Sequence, residues 1–358
     1  MYTQTNLFGD DLSEEKSIIY ESIEEAEQAA IERIKLASQF SEYYYHAPIL
    51  IAYSGGKDSD VLLRLAQKSG VKYEVIHSVT TLDAPETNRH VNEVFERERE
   101  RGINCIKHIP TYKGEQTNMW KLIEIKRVPP TRITRYCCKT LKETSTPNRL
   151  VCLGVRRAES SKRANRSVFE VRGKTFKEAQ GYSMMHMAEA FNTALDEQEL
   201  YGTDNNELNP SDCYMITTMK KKKNDAVVNP IVDWTDAMIW EYKNREQIPM
   251  NPLYAEGIGR VGCIGCPLAG SKKQKREFER YPKIREMYIN AFQKMVNKRK
   301  ADGLKTEWKT GEECMEWWLR NGGLGLTPLP SQERKNENDG NSDNDTCVGS
   351  ANSNNLFA

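Results

Sequence analysis

The sequence predicts an α/β fold, a parallel sheet with helices on both faces, completed by a helical C-terminal subdomain. Three observations carry that reading. Between Pro48 and Val155, short apolar runs alternate with stretches of helical period, a pattern that implies right-handed crossovers and parallel strands. A glycine loop, Ser54-Gly55-Gly56-Lys57-Asp58-Ser59, falls where the first apolar run hands over to a helix-like segment. Two further polar clusters follow later strand-like runs, at the carboxyl ends where open parallel sheets bind their ligands.

In chain order, residues 1–46 read as an N-terminal helical segment, because Glu14 to Tyr45 is rich in Glu, Ala, Ile and Lys at helical period. It carries no chemistry of its own. Residues 47–205 form the α/β unit with the glycine loop: a strand over Pro48 to Tyr53, a helix from Asp60, a strand over Tyr73 to Val79 and a helix over Glu86 to Arg101. Strands over Asn104 to Ile109 and Arg149 to Val155 complete it. Residues 206–330 are the C-terminal subdomain, whose stretch from Asn229 to Trp318 is read as helical. Residues 331–358 are Asn, Asp, Ser and Gly with few apolar side chains, the composition of a disordered tail. Glu197 to Pro210 reads as a polar excursion.

Composition narrows the class. The chain has 358 residues, 38% of them hydrophobic, and a net charge of +1, enough for one large domain or two smaller ones. No run approaches the ~18 apolar residues of a membrane span, and Met1 to Glu15 lacks a signal-peptide core. The reading is a cytoplasmic protein without a membrane partner. Nine cysteines, an odd number without a secretory signal, point to metal or thiol chemistry rather than to a disulfide framework.

The loop at Ser54 to Ser59 is built for phosphate. Small residues let consecutive backbone N–H groups converge on one anion, and the helix that follows adds the positive end of its dipole. Lys57 contributes a full charge, Ser59 a hydroxyl. The spacing is not that of a Walker A loop; it resembles the PP-loop of the ATP pyrophosphatases, which cleave ATP between the α and β phosphates. Beyond the next strand lies Asp83-Ala84-Pro85-Glu86-Thr87. Pro85 and Glu86 there suit a helix start, while Asp83 is a candidate contact to nucleotide or magnesium; the two readings are compatible. A third cluster, Gly154 to Arg163, follows the last strand and carries Arg156, Arg157, Lys162 and Arg163. A guanidinium matches anionic oxygens with a planar fork, and Arg156 and Arg163 are the first candidates for anion contact.

Four cysteines stand in two tight pairs, Cys137-Cys138 and Cys263-x-x-Cys266. Four thiolates can hold Zn²⁺ or a [4Fe–4S] cluster, and a redox dithiol or plain buried thiols are the third reading. Adjacent residues reach one small ion only with awkward backbone geometry, whereas a cluster presents separated irons, which favours the cluster. Cys105 and Cys152 lie in strand-like runs and read as core; Cys213, Cys314 and Cys347 belong to no motif.

The glycine loop, the Asp83 turn, the cysteine pair, the Gly154 to Arg163 cluster, Asn229-Pro230-Ile231-Val232-Asp233-Trp234 and Cys263-x-x-Cys266 together resemble, in content and order, the phosphoadenylylsulfate reductase-like family. The resemblance runs from about Pro48 to Trp318. It implies an adenine-nucleotide α-hydrolase-like fold, an adenylate on Ser54 to Ser59 and a [4Fe–4S] cluster on Cys137, Cys138, Cys263 and Cys266, as in cluster-bearing adenylylsulfate reductases and DNA-phosphorothioation sulfurtransferases. Two departures matter. The tail reads Asn344-Asp345-Thr346-Cys347-Val348-Gly349 and lacks the Glu-Cys-Gly-His type of nucleophile segment of the reductases. The phosphate loop is intact, where the reductases tend to have a degenerate one. Both favour an ATP-dependent sulfurtransferase, with Mg²⁺ and catalytic roles for Lys57, Asp58 and Arg156, over the alternative, a reductase of adenylylsulfate or its 3′-phosphorylated form. A zinc-stapled nucleotide-binding module without turnover is the remaining reading. The partners implied are an adenine nucleotide, a sulfur donor such as a cysteine desulfurase, and an acceptor that includes nucleic acid among its candidates. Lys220 to Lys223 and Lys272 to Arg276 could track a backbone, with Trp234, Trp240 and Tyr254 nearby, although a net charge near zero argues against a large dedicated face.

Overall fold

A computed structural model describes residues 18–143, 146, 148–171, 180–182 and 226–320; the expected tail after residue 330, the excursion at 197–210 and Lys220 to Lys223 lie outside them. Helix α1 (Ile23–Tyr45) starts at Ser22, whose hydroxyl accepts the Glu25 N–H, satisfying one of the free donors of the first turn. It precedes β1 (Ile49–Ala52), α2 (Lys57–Ser69), β2 (Tyr73–Ser78), α3 (Pro85–Glu100) and β3 (Cys105–His108). The expected strands and crossover helices are thus present, and α2 begins at Lys57, three residues earlier than the pattern predicts. A small hairpin of β4 (Thr111–Tyr112) and β5 (Glu115–Gln116) leads to α4 (Met119–Lys126) and a short turn, α5 (Tyr136–Cys138). Next come β6 (Leu150–Cys152), β7 (Phe169–Val171), β8 (Gln180–Tyr182) and β9 (Ala226–Val228).

The strands form one seven-stranded sheet in the order β3-β2-β1-β6-β9-β7-β8. Strands β3, β2, β1, β6 and β9 run parallel, and β7 pairs antiparallel with both β9 and β8. The sheet is therefore mixed but mostly parallel. Period-two alternation turns Ile49 and Ile51 to one face, where they share a core with residues of α1, α2 and α3, including Phe40, Leu62 and Phe95. Leu50, Ile76, Val151 and Val227 form a smaller cluster on the opposite face. The chain leaves β1 toward β2 and later returns to β6 on β1's other side, so the sheet's switch point lies between β1 and β6.

The rest of the chain supplies α6 (Asp236–Arg245), α7 (Pro252–Ala255), α8 (Ser271–Arg280), α9 (Pro282–Ala301) and α10 (Gly311–Arg320). Helices α8, α9 and α10 build a second core with α4, centred on Phe278, Tyr288, Phe292, Met295 and Trp318. The helical layer is thus not purely C-terminal. It recruits α4, Tyr136 and Leu141 from before β6, and Leu82 and Ala84 join it to the end of β2.

A buried polar network ties the layers together. Asp60, on the first turn of α2, accepts from Lys243 Nζ at 2.7 Å and from the Tyr53 hydroxyl at 2.6 Å, and lies 3.2 Å from His90 Nε2. Lys243 and Asp60 are each 2% exposed at the side chain, and removing one partner of such a pair leaves an uncompensated charge inside the protein. Lys243→Ala is therefore expected to cost about 3–5 kcal/mol, read as a shifted urea midpoint at unchanged m-value; a shift within error of wild type would show that the network does not hold α6 to α2.

Candidate active site at the sheet switch point

The loops after β1 and β6 meet at the switch point. Gly55 takes φ +73°, and a Cβ there would stand 2.9 Å from Val91 Cγ2, so both backbone and space call for glycine. Gly154 is where the second loop crosses the first, since a Cβ on it would stand 3.0 Å from the Asp58 carbonyl oxygen. Asn251, fully buried, donates its amide to the Gly55 carbonyl at 2.9 Å and to Thr87 Oγ1 at 3.1 Å. The Tyr254 hydroxyl accepts the Lys57 N–H at 2.9 Å. Ser59 Oγ donates to the Gly56 carbonyl at 2.8 Å and stands 3.2 Å from Ser54 Oγ. The loop is held from outside as well as from within.

Two cations lie against this loop. Lys57 is buried, sits 5.6 Å from the centre of the Trp240 ring and bonds the Asp236 carboxylate. Arg156, 2% exposed, gives Nε to Asp58 at 2.7 Å, Nη1 to the Trp234 carbonyl at 3.2 Å and Nη2 to Asp236 at 2.5 Å. Burial works against the Arg156 charge, but Asp58 and Asp236 outweigh it and hold its pKa above the usual value. Burial pushes the Asp58 carboxyl up, against the pull of Arg156 and Lys57. The hydrogen bond from Lys57, followed by Arg156, holds Asp236 below the usual carboxylate range. Asp236 differs from the other three in being 71% exposed.

Sequence reasoning missed Asp236 and Asn251, and gave Tyr254 only as an aromatic near the basic runs. Each sits at a helix start, Asp236 just after the Thr235 cap of α6, Asn251 as the cap of α7, and nothing in that local pattern distinguishes a cap from a contact to a loop almost 200 residues away. Of the predicted residues, Ser54 to Ser59 and Arg156 come together. Arg163 is engaged by Glu159, whose Oε1 also accepts the Arg156 N–H at 3.2 Å. Asp83 takes the Thr80 hydroxyl at 2.7 Å and lies 4.0 Å from His77 Nε2. Trp234 is fully buried core.

The four paired cysteines are brought to one place. Cys137, Cys138, Cys263 and Cys266 line a cavity of about 30 Å³ together with Thr80, Leu82 and Lys142. Among the described residues no three Cys, His, Asp or Glu side chains converge on a single ion, and the cavity accepts about one water-sized guest, so a larger group requires these side chains to rotate outward. Hydrogen bonding between the neighbours raises the Cys137 thiol and lowers that of Cys138, whose sulfur also takes Arg135 Nη2 at 3.4 Å. Burial pushes Cys263 up to about 11. Lys142 is exposed as a residue, yet Cys263 and Asp83 raise its pKa against desolvation. An all-sulfur donor set with a cation beside it fits a group held by thiolates, because the ammonium offsets part of their charge.

One segment joins the two places. Asn251 and Tyr254 hold the glycine loop, and twelve residues beyond Tyr254 the chain reaches Cys266, having paired Ile264 N–H with the Leu82 carbonyl at 2.8 Å. The profile of the phosphoadenosine phosphosulfate reductase domain matches residues 48–269, more than half of the chain. The chain belongs to that family.

The family's relatives bracket the chain. An uncharacterised protein of Methanocaldococcus jannaschii is 29% identical over 264 residues, 70% of this chain and 42% of its own length; a second from the same organism is 25% identical over 79% and 59%. The chain thus spans about half the length of these relatives. An adenosine 5′-phosphosulfate reductase of Burkholderia cepacia is 43% identical, over 12% of this chain and 18% of its own. Among solved structures, the phosphate complex of a Candida auris phosphoadenylyl-sulfate reductase gives a TM-score of 0.34 at 15% identity, over 69% of this chain and 98% of that one. A U34-tRNA thiolase of Methanococcus maripaludis with its [4Fe–4S] cluster gives 0.34 at 10%, over 86% and 91%. Likenesses of that size do not bear on the chemistry.

The crossing at Gly154 is open to test. A methyl group there meets backbone on the facing loop, which cannot rotate away, so Gly154→Ala is expected to destabilise by about 1–3 kcal/mol in thermal unfolding. Gly262→Ala, where nothing lies within 4 Å of the added Cβ, serves as the control and is expected to melt with wild type.

Proposed function

We propose that the protein is an ATP-dependent sulfurtransferase that adenylates an acceptor at the Ser54 to Ser59 loop and places sulfur on it beside the cysteine cavity. The observation that supports this most directly is the switch-point arrangement: an intact glycine loop with Lys57 and Arg156 both buried against it and neutralised by the exposed carboxylate of Asp236. An anion of several charges, such as the triphosphate of Mg-ATP, can replace that carboxylate. In this reading the acceptor oxygen attacks the α phosphate, the bond to the bridging oxygen breaks, and pyrophosphate leaves with the electron pair. Lys57, Arg156 and the loop N–H groups stabilise the charge that grows on the phosphate oxygens. A sulfur nucleophile from a donor then displaces AMP from the activated acceptor. Asp58 fixes the Arg156 fork, and Asp83 belongs with the thiol side through Thr80 and Lys142.

Cys137, Cys138, Cys263 and Cys266 would hold a [4Fe–4S] cluster, which when bound supplies iron–sulfur chemistry for handling the transferred sulfur. The chain's own contribution is to present the thiolates, with Lys142 offsetting their charge and Thr80 Oγ1 3.9 Å from Cys263 Sγ. A reductase of adenylylsulfate or its 3′-phosphorylated form is the second reading, supported by family membership.

Calorimetry on anaerobically purified protein separates the two. Mg-ATP is expected to bind more tightly than adenylylsulfate or its 3′-phosphorylated form. Lys57→Ala is expected to weaken ATP binding about 10- to 100-fold, the worth of a hydrogen bond to a charged group. Asp236→Asn is expected to tighten it by up to about fivefold, because an exposed ion pair is worth at most about 1 kcal/mol. Preference for the sulfonucleotides would establish the reductase instead. For the thiols, Cys138→Ser and Cys266→Ser are each expected to abolish brown colour and iron content; zinc without acid-labile sulfide in the wild type would sink the cluster assignment.

A further inference from the structure

Two segments frame the cysteine cavity, and both are free of acid. From Val128 to Lys142 the chain carries Arg132, Arg135, Lys139 and Lys142, and from Gly257 to Arg276 it carries Arg260, Lys272, Lys273, Lys275 and Arg276, with no Asp or Glu in either. The whole chain balances 52 Lys and Arg against 51 Asp and Glu. At that density the 35 residues of the two segments would hold about five acids; they hold none. A net charge near zero therefore hides a strong local segregation, and it is the local field that a polyanion feels.

The fold puts the two segments side by side. Arg132 Nε donates to the Pro267 carbonyl at 3.1 Å, and a Cβ on Gly270 would stand 3.7 Å from Arg132 Nη2. Helix α8 thus begins beside Arg132, and its positive end adds to the same field. Lys272, Lys275 and Arg276 are exposed along its first two turns, and Arg132, Arg135 and Lys139 are exposed on the facing segment. Arg260 is 67% exposed at the side chain, with Glu159 at 3.6 Å. Among the described residues of the two segments, Ile133, 75% exposed, and Leu268, 44% exposed, are the large apolar side chains that stand out from the cationic surface.

We propose that this face, around the mouth of the thiol cavity, is the docking surface for the phosphate backbone of a nucleic acid. Its role in seating the sulfur acceptor rests on the sulfurtransferase reading; the docking itself does not. Charge complementarity selects the partner. A protein interface is depleted of charge at its centre, whereas here charge runs up to the cavity rim, and isolated apolar side chains of the Ile133 and Leu268 kind suit contact with unstacked bases. Arginine and lysine spread over two adjoining segments match a backbone that repeats its charge along its length.

Fluorescence anisotropy of the full-length, anaerobically purified protein tests this, with a fluorescein-labelled 20-nucleotide single-stranded RNA, the corresponding duplex DNA and a labelled polyglutamate peptide as probes. The expected result is binding of at least one nucleic acid with an affinity that falls steeply with salt. The triple variant Lys272→Gln, Lys275→Gln, Arg276→Gln is expected to bind at least about tenfold more weakly, with the log–log salt slope reduced by about two. Arg132 is left in place because it holds the Pro267 carbonyl, and unchanged Mg-ATP binding and iron content in the variant show that it is folded. Lys35→Gln, exposed on α1, should bind as wild type. Equal nucleic-acid binding by the triple variant and wild type, no binding at 50 mM salt, or polyglutamate bound as tightly as nucleic acid would each overturn the proposal. Binding that depends on these residues but yields no ATP-dependent thiolation of the bound strand supports the docking surface and counts against the sulfurtransferase reading.

Discussion

The structure depends on a buried guanidinium. Arg156 leaves the end of β6, crosses to the loop after β1 and reaches the start of α6, bonding Asp58, the Trp234 carbonyl and Asp236. A charge taken out of water is tolerated only when its hydrogen bonds are met, so these three contacts fix the relative positions of three segments that are distant in sequence. The close crossing of Gly154 over Asp58 follows from the same constraint. So does the geometry of the glycine loop, because Lys57 shares its carboxylate with Arg156.

From that point order passes outward along the chain between α6 and the second cysteine pair. Asn251 and Tyr254 grip the glycine loop, Leu253 enters the helical core, and Ile264 pairs with the turn after β2. The Cys263 loop is then clamped by α8: Glu277 accepts the Gly265 N–H at 2.8 Å, and Gln274 donates to the Gly265 carbonyl at 3.0 Å. Burial raises the Glu277 carboxyl, yet it stays anchored to the loop it positions. The glycine loop and the thiols are therefore braced by one and the same segment.

The exposed carboxylate of Asp236 is the adjustable part of this arrangement. Asp58, Lys57 and Arg156 are held by burial and by one another, while Asp236 faces solvent with its own side chain and bonds both cations. In the proposed reading, occupation by an anion displaces this one side chain and leaves the glycine loop as it is.

Much of this was legible in the residues. A glycine loop at a strand-to-helix junction, a guanidinium after a later strand and two tight cysteine pairs each have a local signature, because backbone approach, charge and thiolate chemistry restrict which residue types can serve. The parallel strands β1 and β6 declared themselves through short apolar runs, since strands buried on both faces need them, and β2 and β3 through their alternation with helix-like stretches. The antiparallel β7 and β8 did not, since Glu170 and Gly181 interrupt their short runs. Nor did the roles of Asp60, His90 and Lys243, whose buried network joins three helices, or of Lys142, which reads in sequence as one lysine among several. The sequence by itself determined the fold class, the glycine loop at the strand-to-helix junction and the four paired cysteines. Only the tertiary structure decided that Asp236 neutralises the loop's cations, that Asp83 sits with the thiols, and that acid-free segments more than 100 residues apart adjoin, because such pairings depend on how layers pack and leave no periodicity in the chain.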